Sequence, residues 1–278
     1  MELPETPARR RFAALIARDE VPLVEAALAI AEEEYPDLTE PAYLARLDEL
    51  AAAARRKLPE KRTAADALRA VREVLFEEAG FRGNEADYYD PRNSYLNEVL
   101  DRRLGIPISL SVVFLAVARR VGLDVAGVPF PGHFLVKHRA AGRELFIDPY
   151  RGGELLTAAD CAERYEALTH GKGVFDPRFL EAASTAQILG RMLHNLKKIY
   201  AERGDDLRTL WTIDRLLLLF PGNLAERRDR GLVSARLGGR DAALCDLQAY
   251  LDASPDAADA VEVRELARTL RQSHTFLN

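Results

Sequence analysis

Hydrophobic residues in the first eighty positions recur at spacings of three and four, which is typical of half-buried helices. Thr63 and Asp66 have the spacing of a capping box, and Gly80 is a plausible helix stop. This pattern predicts helices over residues 7–80 that pack against the segment after them. The stripes that carry the prediction are Phe12, Leu15 and Ile16; Val24, Ala27, Leu28 and Ala31; Leu44, Leu47, Leu50 and Ala51; and Leu68, Val71 and Leu75.

A second helical pair is predicted between residues 94 and 122. Ser94 and Gly105 bound a short amphipathic helix, and a second helix runs from about Ser109 to Gly122. Nearly every position from Leu110 to Ala118 is apolar, so this second helix should be buried on most sides.

The pattern then changes to one that favours strands. Short apolar runs alternate with prolines, glycines and polar turn residues, as in a β-hairpin with one face on the core. A further helix follows over residues 157–168. The strand candidates are Val125 to Val128, Phe134 to Val136 and Leu145 to Ile147, with a polar turn from Arg139 to Arg143.

An internal repeat of 34 residues begins near residue 184. Four pairs of matching residues carry it, and a Gly between two helices with a Pro after the second is the layout of a tetratricopeptide repeat. About two repeats fit, with residues 258–272 as a capping helix. The pairs are Gly204 and Gly238, Leu210 and Leu244, Leu217 and Leu251, and Pro221 and Pro255.

His133 and Asp148 are the candidate catalytic residues. Antiparallel pairing of the hairpin brings them close together, beside the start of the buried helix. A carboxylate would fix the imidazole tautomer, and the imidazole would take a proton from a nucleophile. The alternative is a structural hydrogen bond that closes the hairpin.

The nucleophile should lie at the N-terminus of the buried helix, where the dipole and free N–H groups favour negative charge. Ser109 is the candidate there, although an ordinary N-cap also explains it. Cys161 and Cys245 are expected to be small buried hydrophobes instead. Asp90, Asn93 and Asn97 fit turn and capping roles better than a pocket lining.

The composition indicates which kinds of partner, cofactor and cellular location to expect. The net charge of −5 gives no reason to expect nucleic acid. We expect no membrane span, since no apolar run reaches about eighteen residues. The cysteine and histidine spacings predict neither a disulfide nor a metal site, and we expect no cofactor. Together with the absence of a secretion signal, this favours a cytoplasmic protein.

Three segments of the chain resemble the bacterial SirB-type proteins: RNSYLNEVLDRRLGIPISLSVVFLAVARRVGL, PGHFLVKH and FIDPYRGG. The stretches RMLHNLKKIY and ERRDRGLV are similar as well, so the resemblance covers most of residues 60–270. It implies a transglutaminase-like core, related to cysteine proteases, followed by tetratricopeptide-like helices. In catalytic relatives the triad is Cys, His and Asp. His133 and Asp148 match the last two, but no Cys is present near Pro107 to Ser109.

The resemblance implies a mostly helical α+β fold with a small antiparallel sheet. We expect residues 1–180 to form the helical N-terminal segment and the transglutaminase-like core, and residues 181–278 to form an all-α repeat domain. The missing thiol favours a non-catalytic scaffold or regulatory protein that holds a protein or peptide partner. The alternative is a hydrolase or acyltransferase that uses Ser109, His133 and Asp148. The oligomeric state is not specified by the sequence.

Overall fold

A computed structural model describes residues 5–140 and 143–272 of the chain. The α-helices are α1 (Pro7–Ile16), α2 (Leu23–Ala31), α3 (Glu40–Arg56), α4 (Ala64–Arg72), α5 (Leu96–Arg102), α6 (Pro107–Val121), α7 (Ala158–Thr169), α8 (Thr185–Glu202), α9 (Asp206–Leu219), α10 (Leu224–Arg236), α11 (Arg240–Ala253) and α12 (Ala260–Gln272). The strands are β1 (Arg82–Gly83), β2 (Leu104–Gly105), β3 (Val125–Val128), β4 (Leu135–Ala140), β5 (Arg143–Asp148) and β6 (Glu154–Leu156). The fold is α+β and mostly helical, as the sequence predicts.

The chain forms two compact units. One is Ala14–Met192, and the other comprises the residues from Leu193 onward together with those before Ala14. Within the part of the chain that the structure describes, no helix is long and apolar enough to cross a membrane.

The predicted N-terminal helices are confirmed as α1 to α4, which a π-helix (Glu73–Glu78) extends. The capping box at the start of α4 is also confirmed. The backbone N–H of Asp66 donates to Thr63 Oγ1 at 3.1 Å, and the Thr63 N–H donates to the Asp66 carboxylate at 3.1 Å. Two of the four orphan donors of that helix end are therefore satisfied locally.

Helix α6 lies at the centre of the first unit. Every residue from Pro107 to Ala118 is buried, because α6 packs against α2, α3, α4 and α5 and against strands β3 and β4. Gly122 ends the helix in the left-handed region with φ 94°, which a glycine adopts without strain. The almost continuous apolar run therefore predicted burial correctly.

The principal sheet has four antiparallel strands in the order β3-β4-β5-β6. In its central hairpin Val136 pairs with Ile147 and Lys137 with Phe146. The prediction of one buried face was wrong: Val136 and Ile147 are buried on one face and Leu135 and Phe146 on the other. Both faces are covered because α6 packs against β3 and β4, while α7 packs against β5 and β6. Part of the predicted turn, residues 141–142, lies outside the described residues.

The second unit confirms the 34-residue repeat. Helices α9 and α11 match at both ends at that offset, from Asp206 to Arg240 and from Leu219 to Ala253. Gly204 and Gly238 precede them with φ of 69° and 76°, a conformation that favours glycine. Helices α8 and α10 are the first helices of the two pairs, and α12 lies where the capping helix is predicted.

Candidate functional site

His133 lies in a tight turn just before β4. Its N–H donates to Phe130 O at 2.9 Å, and Gly132 within the turn has φ 68°. Strand β4 begins at Leu135, one residue after the predicted start at Phe134, so His133 lies before the strand. The turn carries the imidazole to the end of the sheet, where its side chain is 21% exposed.

Asp148 ends β5 and is fully buried. Its Oδ1 accepts hydrogen bonds from His133 Nε2 at 2.8 Å and from the backbone N–H groups of Tyr150 and Arg151 at 3.1 and 3.3 Å. Its Oδ2 accepts from Arg164 Nη1 at 2.8 Å. Four donors thus surround this carboxylate.

These donors decide the charge of Asp148. Burial raises the pKa of its carboxyl, but the hydrogen bond from His133 and the electrostatic attraction to that ring, together with hydrogen bonds from Arg164 and the Arg151 N–H, outweigh burial and hold the pKa below its ordinary value. Asp148 is therefore ionised near neutral pH and accepts from the imidazole.

The hydrogen bond to Asp148 orients the imidazole. Because an ionised carboxylate only accepts, the proton of the neutral ring is assigned to Nε2. Nδ1 is then the acceptor, and within the described residues it has no hydrogen-bond partner. The Tyr150 ring lies edge-on to the imidazole, with centroids 5.9 Å apart, and limits its rotation. This arrangement can take a proton from a nucleophile or hydrogen-bond a ligand.

A cavity of about 410 Å³ opens beside the imidazole. This volume is in the range of small-ligand sites. One wall is apolar and the other carries His133, Asp148 and two arginines. The lining residues are Phe130, Pro131, Gly132, His133, Leu135, Asp148, Arg151, Arg164, Ala167 and Leu168.

Ser109 is fully buried and does not line this cavity. Helix α6 begins at Pro107, so the expectation that Ser109 is the N-cap was wrong. Ser109 lies in the first turn, where its Oγ accepts from the Ile106 N–H at 3.1 Å and donates to Asn93 O at 2.6 Å. The structure brings His133 and Asp148 together, whereas the Ser109 hydroxyl bonds to backbone groups.

Unlike Ser109, Ser111 contacts the segment that leads into the hairpin. Its Oγ is 3.5 Å from Phe134 O, the residue after His133, at the outer limit of a hydrogen bond. Ser111 is also fully buried, and it does not line the cavity.

The polar residues before α5 have local structural roles. The Asp90 carboxylate accepts from the Arg92 N–H at 3.0 Å and caps the 3-10 helix Pro91–Asn93. Asn93 donates to Asp87 O at 2.7 Å and accepts from Asn84 Nδ2 at 3.0 Å. These contacts agree with the turn and capping roles that the sequence favoured for Asp90 and Asn93.

The two cysteines differ. Cys161 is in the core with Leu135 and Phe146, and burial raises the pKa of its thiol to about 11, so the thiol is protonated at neutral pH. The prediction of a buried Cys245 was wrong: Cys245 is exposed, because Ala243, Asp246 and Leu247 form the buried face of α11.

Over residues 5–140 and 143–272, no three His, Cys, Asp or Glu side chains converge as metal ligands would.

Sequence reasoning missed Arg151, Arg164 and Tyr150. Arg164 comes from α7 and bridges Asp148 and Glu154. Its role depends on how α7 packs on the sheet, which no local spacing reports. A weak signal existed for Arg151 and Tyr150, since both directly follow Asp148-Pro149 and share its turn.

Two family models match the chain. Residues 41–194 match the transglutaminase-like superfamily, and residues 196–268 match a tetratricopeptide repeat. The first match contains the whole His133–Asp148 site. The second contains helices α9, α10 and α11.

Curated relatives match over most of the chain or over about half of it. A UPF0162 protein of Xylella fastidiosa is 39% identical over 254 residues, covering 90% of each chain. A UPF0162 protein of Pseudomonas aeruginosa is 31% identical over 89% of this chain and 90% of its own. F-box only protein 21 of Mus musculus is 34% identical over 151 residues, which is 50% of this chain and 22% of that protein.

Proposed function

The chain belongs to the transglutaminase-like superfamily, with the UPF0162 proteins as relatives, and from this premise we propose that it is a non-catalytic scaffold that binds a protein or peptide. It holds its partner in the cleft beside His133 and on the face of its tetratricopeptide-like helices. The SirB-type assignment is part of the same proposal.

One observation carries the proposal: the cavity beside His133 is lined by no Ser, Thr or Cys among the described residues. Acyl transfer through this pair needs a hydroxyl or thiol within hydrogen-bond reach of the imidazole. The Ser109 hydroxyl instead donates a hydrogen bond to Asn93 O and is shielded from solvent. A serine has too high a pKa for a helix dipole alone to activate it, so without the imidazole it stays an alcohol.

The second unit supports a role in protein interaction, since stacked helical repeats present an extended concave binding surface. Helices α8 and α10, the first helices of the two pairs, carry a charged cluster, in which Lys197 Nζ lies 2.7 Å from Glu226 and 2.6 Å from Asp229. Burial raises the pKa of Glu226, but hydrogen bonds from His194 and Lys197 hold it below its ordinary value, so Glu226 is ionised at neutral pH. Glu226 is buried and its charge is paired with Lys197, so the cluster joins α8 to α10.

We also propose a cytoplasmic location. Cys161 and Cys245 are both free thiols, one buried and one exposed. Free thiols fit a reducing compartment better than an oxidising one.

The alternative is a serine hydrolase or acyltransferase, and the geometry of His133 with Asp148 favours it. In such an enzyme Nδ1 would face the nucleophile while Nε2 is held by the carboxylate. This reading requires the Ser109 side chain to leave its bond to Asn93 and reach the imidazole.

A fluorophosphonate probe separates the two functions. We expect no adduct on Ser109 or Ser111 in the folded wild-type chain, as located by mass spectrometry of its peptides, because neither hydroxyl has a base beside it. The matched variants are Ser109→Ala and His133→Ala. An adduct on either serine that disappears in His133→Ala would establish the enzyme and overturn the scaffold.

A further inference from the structure

We propose that the cavity beside His133 binds a single carboxylate of a protein partner, held by Arg151 and the imidazole. This inference rests on the proposed binding function and adds the chemistry of the ligand. It makes Arg151 a specificity-determining residue of the cleft.

The charges of the lining leave one guanidinium available. Two arginines, Arg151 and Arg164, line the cavity together with the carboxylate of Asp148. Arg164 is engaged at 2.8 Å with Asp148 and at 2.6 Å with Glu154. Arg151 is exposed and forms no ion pair with the described residues. One free positive charge matches one negative charge.

The shape of the groups also favours a carboxylate. A guanidinium binds a carboxylate with two parallel N–H···O bonds, and its planar fork loses little freedom in doing so. Asp148 holds Nε2 of the imidazole, so the ring can donate to a bound carboxylate only through an Nδ1–H, which is present in its doubly protonated form. The opposite wall, with Phe130, Ala167 and the half-exposed Leu168, suits the methylene groups next to a carboxylate.

A neighbouring cavity makes a polyanion a poor occupant. It also measures about 410 Å³, shares Arg164 and Ala167 with the first, and is lined by Glu154, Asp160 and Glu163. Three carboxylates around a cavity that shares two lining residues with the first repel a chain of phosphates. A peptide that carries one carboxylate, from its C-terminus or from an acidic side chain, avoids that repulsion.

The test is an NMR titration of the full chain with labelled leucine methyl groups, read at Leu168 and Leu135 on the cavity wall. The probes are N-acetyl-leucine, which has a main-chain carboxylate, and the N-methylamide of N-acetyl-glutamate, which has a side-chain carboxylate. The N-methylamide of N-acetyl-leucine is the neutral match, and inorganic phosphate is the competing anion. We expect at least one carboxylate probe to bind about tenfold more tightly than the neutral match.

Variants of Arg151 carry the second half of the test. Arg151→Gln should lower the affinity for the carboxylate probe by about tenfold. Arg151→Lys should lower it by less, because lysine keeps the charge but loses the planar guanidinium that forms two parallel hydrogen bonds. Arg62→Gln removes an exposed arginine outside the cavity and should change nothing. Unchanged methyl signals elsewhere in each variant confirm that it folds.

Equal binding of the neutral match, stronger binding of phosphate, or an Arg151→Gln affinity equal to wild type would each overturn the carboxylate inference. The binding function itself has a separate readout, the dependence of partner capture on His133. If capture depends on His133 while the carboxylate probes fail, the cleft binds a partner through other chemistry.

Discussion

At the scale of single residues, the charge and position of Asp148 depend on the four hydrogen bonds that its carboxylate accepts. Two backbone N–H groups, one imidazole and one guanidinium compensate the burial of its charge. A buried charge with fewer partners would neutralise instead. Three of these contacts hold the carboxylate in place, and the fourth, from His133 Nε2, orients the imidazole, so the charge of Asp148 and the geometry of the site depend on the same hydrogen bonds.

The variant Asp148→Asn tests whether the carboxylate is ionised and hydrogen-bonded, through the pH dependence of the free energy of unfolding. The folded-state pKa of Asp148 is below its unfolded value of about 3.9, so its ionised form stabilises the fold above that pH. The contribution is lost as pH falls through the folded-state pKa. We expect Asp148→Asn to lower the free energy of unfolding by about 3 kcal/mol at pH 6, with a difference that shrinks below about pH 4.

The measurement is urea unfolding of both chains between pH 3 and pH 7. Asp48→Asn serves as the control, because Asp48 is a 67% exposed partner of Arg120 and such pairs contribute little. A wild-type to Asp148→Asn difference that stays constant with pH would contradict the account of an ionised, hydrogen-bonded Asp148.

At the scale of elements, close packing between helices α10 and α11 depends on Gly231. A Cβ there would lie 2.8 Å from the Leu247 side chain and 3.3 Å from Ala243 O. Leu247 is fully buried, so its side chain has no free space into which to turn. This contact defines the helix pair that the 34-residue repeat predicts.

Gly231→Ala sets two effects against each other. Alanine gains about 1 kcal/mol of helix propensity over glycine, while overpacking a filled contact costs about 1–3 kcal/mol. Because neither Leu247 nor the α11 backbone can move freely, we expect a net loss of about 1 kcal/mol in the free energy of unfolding, measured by circular dichroism in urea. Gly222→Ala, where nothing lies within 4 Å of an added Cβ, should be neutral. A more stable Gly231→Ala chain would show that the helix pair is looser than described.

The sequence predicted elements better than contacts between them. Periodicity located α6 and the 34-residue repeat, since both signals are local or repeat along the chain. The approach of His133 to Asp148 followed from hairpin pairing. In contrast, the partner of Ser109 is Asn93, 16 residues away, and Arg164 reaches Asp148 only through the packing of α7 on the sheet. Contacts of this kind depend on tertiary structure and leave no spacing signal.

At the scale of the whole molecule, the chain joins a transglutaminase-like unit to tetratricopeptide-like helices, each with its own charged site. The UPF0162 relatives match over about nine tenths of this chain and of their own, so both parts are shared with them. F-box only protein 21 matches about half of this chain, at 34% identity. Among the described residues, the cavity beside His133 is lined by an imidazole and two arginines and by no Ser, Thr or Cys, and the proposed binding function rests on this lining.

Quantitative affinity purification from the native host tests the central claim most directly. The bait is compared as wild type, as His133→Ala and as His170→Asn, a control at an exposed position with φ 51° that asparagine tolerates. We expect a defined set of proteins that His170→Asn retains and His133→Ala loses, recovered intact and without a covalent link to the bait. Identical capture by all three baits, or a His133-dependent cleavage or acyl adduct on a captured protein, would contradict the account.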